Sequence, residues 1–246
     1  MGIIDEELAK AFLEDPDNYE LSSKVEERTE ISDAAAEILS KHEGFLSFEM
    51  LQLLSDAAAE SLSKHKGGIA FHRLEALSDT AAESLAKHQD CLTLCVAKLS
   101  DAAVESLSKH QGEILDLYGL EELSDAAAES LSKYEGKLDD LQNLRELSDG
   151  GARSLSKLQG GLGLPSLIKI SDTAIDSLSK LQGCLSLGIT EISGAAAESL
   201  SKHKGGLYLF ALEKLSDTAA ESLSKYQGEI NHEEPKEWVE SMRASD

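Results

Sequence analysis

The chain has 246 residues, a formal net charge of −23 and 4% aromatic residues. That charge excludes nucleic acid and anionic membrane surfaces as expected partners, since phosphate binding needs clustered Lys and Arg, and it suits a protein partner of basic character. Hydrophobic residues make up 41% of the chain, mostly Leu and Ala, which excludes compositional disorder and fits many small packing layers.

The first predicted element lies within residues 3–14. Ile4, Leu8 and Leu13 stand among acidic residues there, a pattern that predicts an amphipathic helix capping residues 1–18. The N-terminus has no basic region and no long apolar run, so no signal peptide is expected. Glu6 occupies the position where a myristoylation signal carries Ser or Thr. No stretch approaches the ~18 apolar residues of a membrane helix.

Residues 19–231 read as a tandem repeat. Ser32, Ser55, Ser78, Ser100, Ser124, Ser148, Ser171, Ser193 and Ser216 recur at intervals of 22 to 24 residues. Asp follows each Ser except at Gly194. A Leu stands seven residues after each Ser, and a Lys nine after. Gly stands twelve after, except at Asp90. Nine copies in register cannot arise by chance.

Each copy has two halves. The first, as in Ser55 to His65, opens on a helix-capping Ser and places Ala58, Leu62 and His65 on one helical face. Gly67 is expected to stop that helix, after about three turns. The second half, as in Leu207 to Leu215, alternates like a short strand and then curls back. Neither half buries its apolar face alone. Stacked copies therefore predict an α/β solenoid with a parallel sheet on the concave side and a row of short helices on the convex side.

The Leu-x-Leu-x-x-Leu strand segments, such as Leu207, Leu209 and Leu212, resemble those of the leucine-rich repeat family. The helix entry Leu77 to Leu85 (Leu-Ser-Asp-x-Ala-Ala-Glu-x-Leu) resembles the family's short bacterial variants. One departure is plain: the family's Asn or Cys ladder after the strand is here mostly Leu, at Leu51, Leu74, Leu120, Leu144, Leu167 and Leu212.

Beyond the last copy, Pro235 breaks the pattern, and Trp238 and Met242 share one helical face. Residues 232–246 are expected to form a second cap over the sheet edge.

No catalytic, cofactor or metal residues are expected, and the chain reads as a non-enzyme. Its Ser and Asp residues recur in register with the repeat, which signals capping, whereas a catalytic group is a singular departure from such a pattern. His42, His65, His88, His110 and His203 share one column, a row of imidazoles of the kind that could bind a metal or sense pH. The same column accepts Tyr134, Leu158, Leu181 and Tyr226, which marks a packing position. Cys91 and Cys95 have no second pair to complete a zinc site, and the spacing along a strand is too long for a disulfide. With Cys184 they make an odd count of three, which fits a reducing, cytoplasmic compartment.

The informative residues are those that vary between copies at outward strand positions. They are Glu49, Met50, His72, Arg73, Tyr118, Gln142, Asn143, Tyr208 and Phe210, with Cys95 and Val96 beside them. They predict a protein-protein interaction scaffold that binds a macromolecular partner on the concave sheet face. The alternative is a structural or self-associating spacer without specific recognition. No small-molecule substrate is evident. Tyr208 and Phe210 flank Leu209, so alternation turns both outward, unless the C-terminal segment folds back over them.

Overall fold

The computed structural model describes residues 2–138 and 141–244. A short strand β1 (Ile3–Ile4) leads into α1 (Glu6–Glu14), then α2 (Tyr19–Glu26) and β2 (Glu30–Ile31). Strand and helix then alternate. The helices are α3 (Asp33–Leu39), α4 (Asp56–Leu62), α5 (Asp79–Leu85), α6 (Asp101–Leu107), α7 (Asp125–Leu131), α8 (Asp149–Leu155), α9 (Asp172–Leu178), α10 (Gly194–Leu200) and α11 (Asp217–Leu223). The strands are β3 (Leu46–Phe48), β4 (Ile69–Phe71), β5 (Leu92–Leu94), β6 (Ile114–Asp116), β7 (Lys137–Leu138), β8 (Leu162–Leu164), β9 (Leu185–Leu187) and β10 (Leu207–Tyr208). The last element is α12 (Pro235–Ala244).

Two compact units divide these elements. The first holds β1 to β7 with α1 to α6, and the second holds α7 to α12 with β8 to β10. In the first unit β3 to β7 form a five-stranded parallel sheet in sequence order, and β1 pairs with β2. In the second, β8, β9 and β10 form a three-stranded parallel sheet. Register follows the repeat: Leu46, Ile69 and Leu92 align in one sheet, and Leu162, Leu185 and Leu207 in the other. Alternating parallel strands and short helices of this kind make an α/β solenoid of the leucine-rich repeat type.

The core is the predicted Leu column. Leu39, Leu62, Leu85, Leu107, Leu131, Leu155, Leu178, Leu200 and Leu223 are all fully buried. On each of these helices a pair of small or apolar residues is buried as well, such as Ala58 with Ala59 and Ala103 with Val104. Burying a Leu contributes roughly 1.5–3 kcal/mol, so the layers hold the stack together.

Every anchor Ser caps its helix by accepting the backbone N–H three residues on, as at Ser55 (3.0 Å) and Ser100 (2.9 Å). The Asp after the anchor has a second role that the repeat alone does not reveal. Its carboxylate accepts the Ser hydroxyl of the following copy: Ser55 donates to Asp33, Ser78 to Asp56, Ser100 to Asp79, Ser171 to Asp149, and Ser193 to Asp172 at 2.7 Å. Stacked carboxylates are thus interleaved with hydroxyl donors. Where Gly194 replaces Asp, Ser216 turns to Thr218 instead, at 3.2 Å.

Three details differ from the sequence expectation. The repeat helices have seven residues, about two turns rather than three. Their C-caps are αR residues such as Ser63, so Gly67 lies beyond the helix and does not stop it. Instead the Gly column marks close backbone approach: a Cβ on Gly67 would overlap the Gly44 carbonyl, and one on Gly205 the Gly183 carbonyl. Asp90, the exception, accepts the Gly67 N–H at 2.9 Å. Third, the Leu ladder after the strands leaves no amide side chain to satisfy the turns, and neighbouring loops do so directly. Gln52 N–H donates to Thr29 O (2.9 Å), Glu75 N–H to Gln52 O (3.0 Å), and Glu213 N–H to Thr190 O (2.9 Å).

Helix α8 is the weak layer of its unit. It reads Asp149-Gly150-Gly151-Ala152-Arg153, and two Gly cost ~1 kcal/mol each against Ala. Arg153 displaces the usual Glu, so Lys157 has no partner within its own helix and reaches back to Glu129 at 3.2 Å. That exposed pair is worth little. Pro165 follows β8 and donates no backbone bond. Hydrogen exchange is expected to run roughly 30-fold faster over residues 148–166 than over residues 55–85, matching ~2 kcal/mol of lost helix propensity. Equal protection of the two segments would remove this reading.

Candidate functional site

The outward strand residues group around Glu49, His72 and Tyr118 in the first unit and around Tyr208 and Phe210 in the second, with Gln142 and Asn143 separated from that pair by β8 and β9. Parallel pairing puts the variable positions of successive copies side by side, and pleating turns alternate residues away from the helices.

In the first unit, Glu49 is exposed, Met50, His72 and Tyr118 are half-buried, and Arg73 is exposed. Glu49 Oε1 accepts the Ser47 hydroxyl at 2.7 Å and stands 3.5 Å from His72 Nε2. His72 Nδ1 lies 3.0 Å from the Tyr118 hydroxyl. With Nε2–H turned to the carboxylate, Nδ1 is the acceptor and the phenol the donor. The chain Glu49–His72–Tyr118 therefore skips one copy, passing over the small Cys95 side chain. Burial first, then the Cys95 thiol and the nearby acids, push the Tyr118 phenol above its ordinary value, so it stays a neutral donor. Arg73 reaches Met50 Sδ at 3.6 Å.

Val96, expected to face outward, is buried at 1% exposure. Its loop is one residue shorter than that after β3 or β4, which moves Val96 into the Leu51 and Leu74 column of the core.

In the second unit, Gln142 and Asn143 are exposed, Tyr208 is half-buried, and Phe210 is 69% exposed. Tyr208 and Phe210 stack with ring centroids 5.7 Å apart and planes 19° apart. A third ring, His232, tilts against them at 5.1 Å from Tyr208 and 6.4 Å from Phe210. Its position follows from a turn that clamps onto β10. Asn231 N–H donates to Leu207 O at 3.0 Å, and Asn231 Oδ1 accepts the Leu209 N–H at 2.7 Å. Asn231 and His232 both take positive φ (52° and 69°). Such a conformation is costly for a side-chain-bearing residue, and it aims the imidazole at the aromatic pair.

Trp238 does not cover this pair. Helix α12 lies against α11, where Arg243 donates to Asp217 at 2.7 Å. Trp238 and Val239 are buried. The rows beside Tyr208 and Phe210 are floored by small side chains, since Gly163, Ser186 and Tyr208 are register partners. A Cβ at Gly188 would overlap the Pro165 carbonyl.

The His column is stacked and inward. His42, His65, His88 and His110 have successive ring centroids 6.0, 6.3 and 6.2 Å apart, and Phe12 closes the row edge-on over His42 at 5.2 Å. Carbonyls of the preceding copy face these rings: His65 Nε2 lies 2.7 Å from Gly44 O, and His110 Nε2 3.0 Å from Asp90 O. The Ser63 and Gly67 carbonyls face His88, whose nitrogens fall short of a hydrogen bond. Among the described residues, no group of three or more His, Cys, Asp or Glu is placed to hold a metal ion. Cys91, Cys95 and Cys184 are free. Among the described residues, no helix is long and apolar enough to cross a membrane.

No family model matches the chain, and no curated protein does. Among solved structures, the chain is similar to an internalin from Listeria monocytogenes, with a TM-score of 0.51 and 15% identity over 89% of this chain and 73% of that one. At that identity the likeness is one of fold: the internalin is a leucine-rich repeat protein, and the strand–helix repeat described above is built the same way.

Proposed function

We propose that this chain is a non-enzymatic protein-protein interaction scaffold that binds a protein partner on its strand face. Leucine-rich repeat folds are generally used in this way, and one observation carries the reading here. Phe210 is 69% exposed and stacked on Tyr208, in a pair of positions where each other copy places at least one smaller or polar residue. Large exposed aromatics are costly in water and serve as anchors in recognition sites. Glu49, Met50, His72, Arg73 and Tyr118 form a second contact surface in the first unit, and Gln142 and Asn143 add polar contacts in the second. Helices α1 and α12 act as caps flanking the repeats over 19–231. The three free thiols support a reducing, cytoplasmic setting.

The test is the double variant Tyr208→Ala with Phe210→Ala. It is expected to weaken capture of a natural partner by about tenfold or more, the loss of one anchor of ~2 kcal/mol. The circular dichroism melt should shift little, since Phe210 points outward. Undiminished capture would move the binding surface elsewhere. Loss of self-association alone, read by sedimentation velocity, would favour the spacer.

A further inference from the structure

The aromatic group of the second unit has a distinctive electrostatic frame. Tyr208 and Phe210 present stacked rings, with Phe210 69% exposed. The turn that brings His232 against them carries Glu229, Glu233 and Glu234, all exposed. Residues 226–235 contain no Lys or Arg. The repeat helices, by contrast, hold Glu side chains against a Lys one turn on. The helices pair Glu198 with Lys202 at 2.9 Å and Glu221 with Lys225 at 3.0 Å. Lys225, at the edge of the stretch beside the aromatic pair, is held by Glu221, and Lys236 follows the turn, so the three carboxylates outnumber the cations there.

We propose that the Tyr208–Phe210 pair, flanked by Glu229, Glu233 and Glu234, is a receptor for an arginine-bearing segment of a protein partner. The proposal rests on the strand-face reading above and names the chemistry of its partner. An aromatic face attracts a cation through its quadrupole, and a guanidinium both stacks on rings and pairs with carboxylates in bidentate fashion. A purely apolar partner would satisfy the rings but leave the carboxylates desolvated and unpaired at the rim. An ammonium, being more strongly hydrated, stacks less well. A side chain that offers a flat cation serves both features. The small residues beside the pair, Gly163, Ser186 and Gly188, leave room for the extended backbone that carries it.

The test uses the full chain and four fluorescent twelve-residue Gly/Ser peptides, each with three copies of Arg, Lys, citrulline or Leu. Anisotropy is read at pH 7.5 and low salt. Citrulline keeps the shape of Arg and removes its charge. The Arg peptide is expected to bind about tenfold more tightly than the citrulline peptide and more tightly than the Lys peptide. Tyr208→Ala with Phe210→Ala, and Phe210→Leu alone, should each weaken it severalfold. Phe210→Leu keeps an apolar side chain and removes the ring. Bulk attraction to a −23 chain is separated by two variants of equal charge change. Glu233→Lys with Glu234→Lys should weaken binding about tenfold, and Glu198→Lys with Glu221→Lys less than about twofold.

Equal binding of Arg and citrulline peptides, or equal loss in the two charge variants, overturns the proposal. Should the Leu peptide alone bind and be lost on Tyr208→Ala with Phe210→Ala, the strand-face reading stands and the cationic one falls. Should every peptide bind the aromatic variants as it binds the wild type, both fall.

Discussion

Gly205→Ala is expected to destabilise the second unit by about 3 kcal/mol, whereas Gly160→Ala changes stability by less than about 0.5 kcal/mol or raises it slightly. The two residues hold the same place in their copies, twelve after the anchor Ser. A Cβ on Gly205 would overlap the Gly183 carbonyl and come within 2.8 Å of His203 Nε2, and the first obstacle is backbone that cannot rotate away. A Cβ on Gly160 meets nothing within 4 Å. Helix and strand propensity treat the substitutions alike, so the difference isolates the close approach of adjacent copies. Urea denaturation of the two variants checks it. Equal midpoints would mean that the Gly column has no packing role.

The second expected result concerns acid. Burial is the largest cause that holds His65, His88 and His110 below the ordinary imidazole value. The neighbouring imidazoles lower His65 and His88 further, while facing carbonyls and the Asp90 carboxylate oppose the shift in part. A depressed folded-state value means that the unfolded chain binds more protons as pH falls below ~6.5. Stability is therefore full above that pH and declines as pH falls from there towards the folded-state values. The window between pH 7 and 5 brackets the ordinary imidazole value and lies above the ordinary carboxylate values, so it reports on the His stack. The melting temperature of the wild type should fall over that window. His88→Leu should fall less steeply, because Leu158 and Leu181 show that the column accepts Leu. Identical slopes for the two proteins would contradict the account.

Most of the architecture was legible because it repeats. Ser55, Leu62 and Lys64 recur in nine copies, so the cap, the core column and the helix surface could each be assigned from chemistry averaged over copies. What lies between copies was less legible. The hydroxyl of Ser78 meets Asp56 only once register is fixed, and nothing in a single copy announces that bond. The Gly column looked like a helix stop because Gly67 follows a helix, yet its cause is the neighbour's carbonyl.

The candidate site divided in the same way. Alternation turned Tyr208 and Phe210 outward, as found. It misplaced Val96, since a loop shorter by one residue shifts a side chain into the core. The Glu49–His72–Tyr118 chain spans a skipped copy, and its signal was the small Cys95 between two larger residues. His232 was missed because it lies past the last copy, in a turn whose positive φ values at Asn231 and His232 leave no pattern in the repeat.

The claim that the strand face of the second unit is the working surface is tested most directly by photo-crosslinking. Benzoylphenylalanine is placed at position 210 in one protein and at position 221, on the exposed face of α11, in another. Both are illuminated in native extract. The account predicts a discrete adduct from position 210 that the arginine peptide competes away, and no discrete adduct from position 221. Adducts from position 221 with none from position 210 would contradict it.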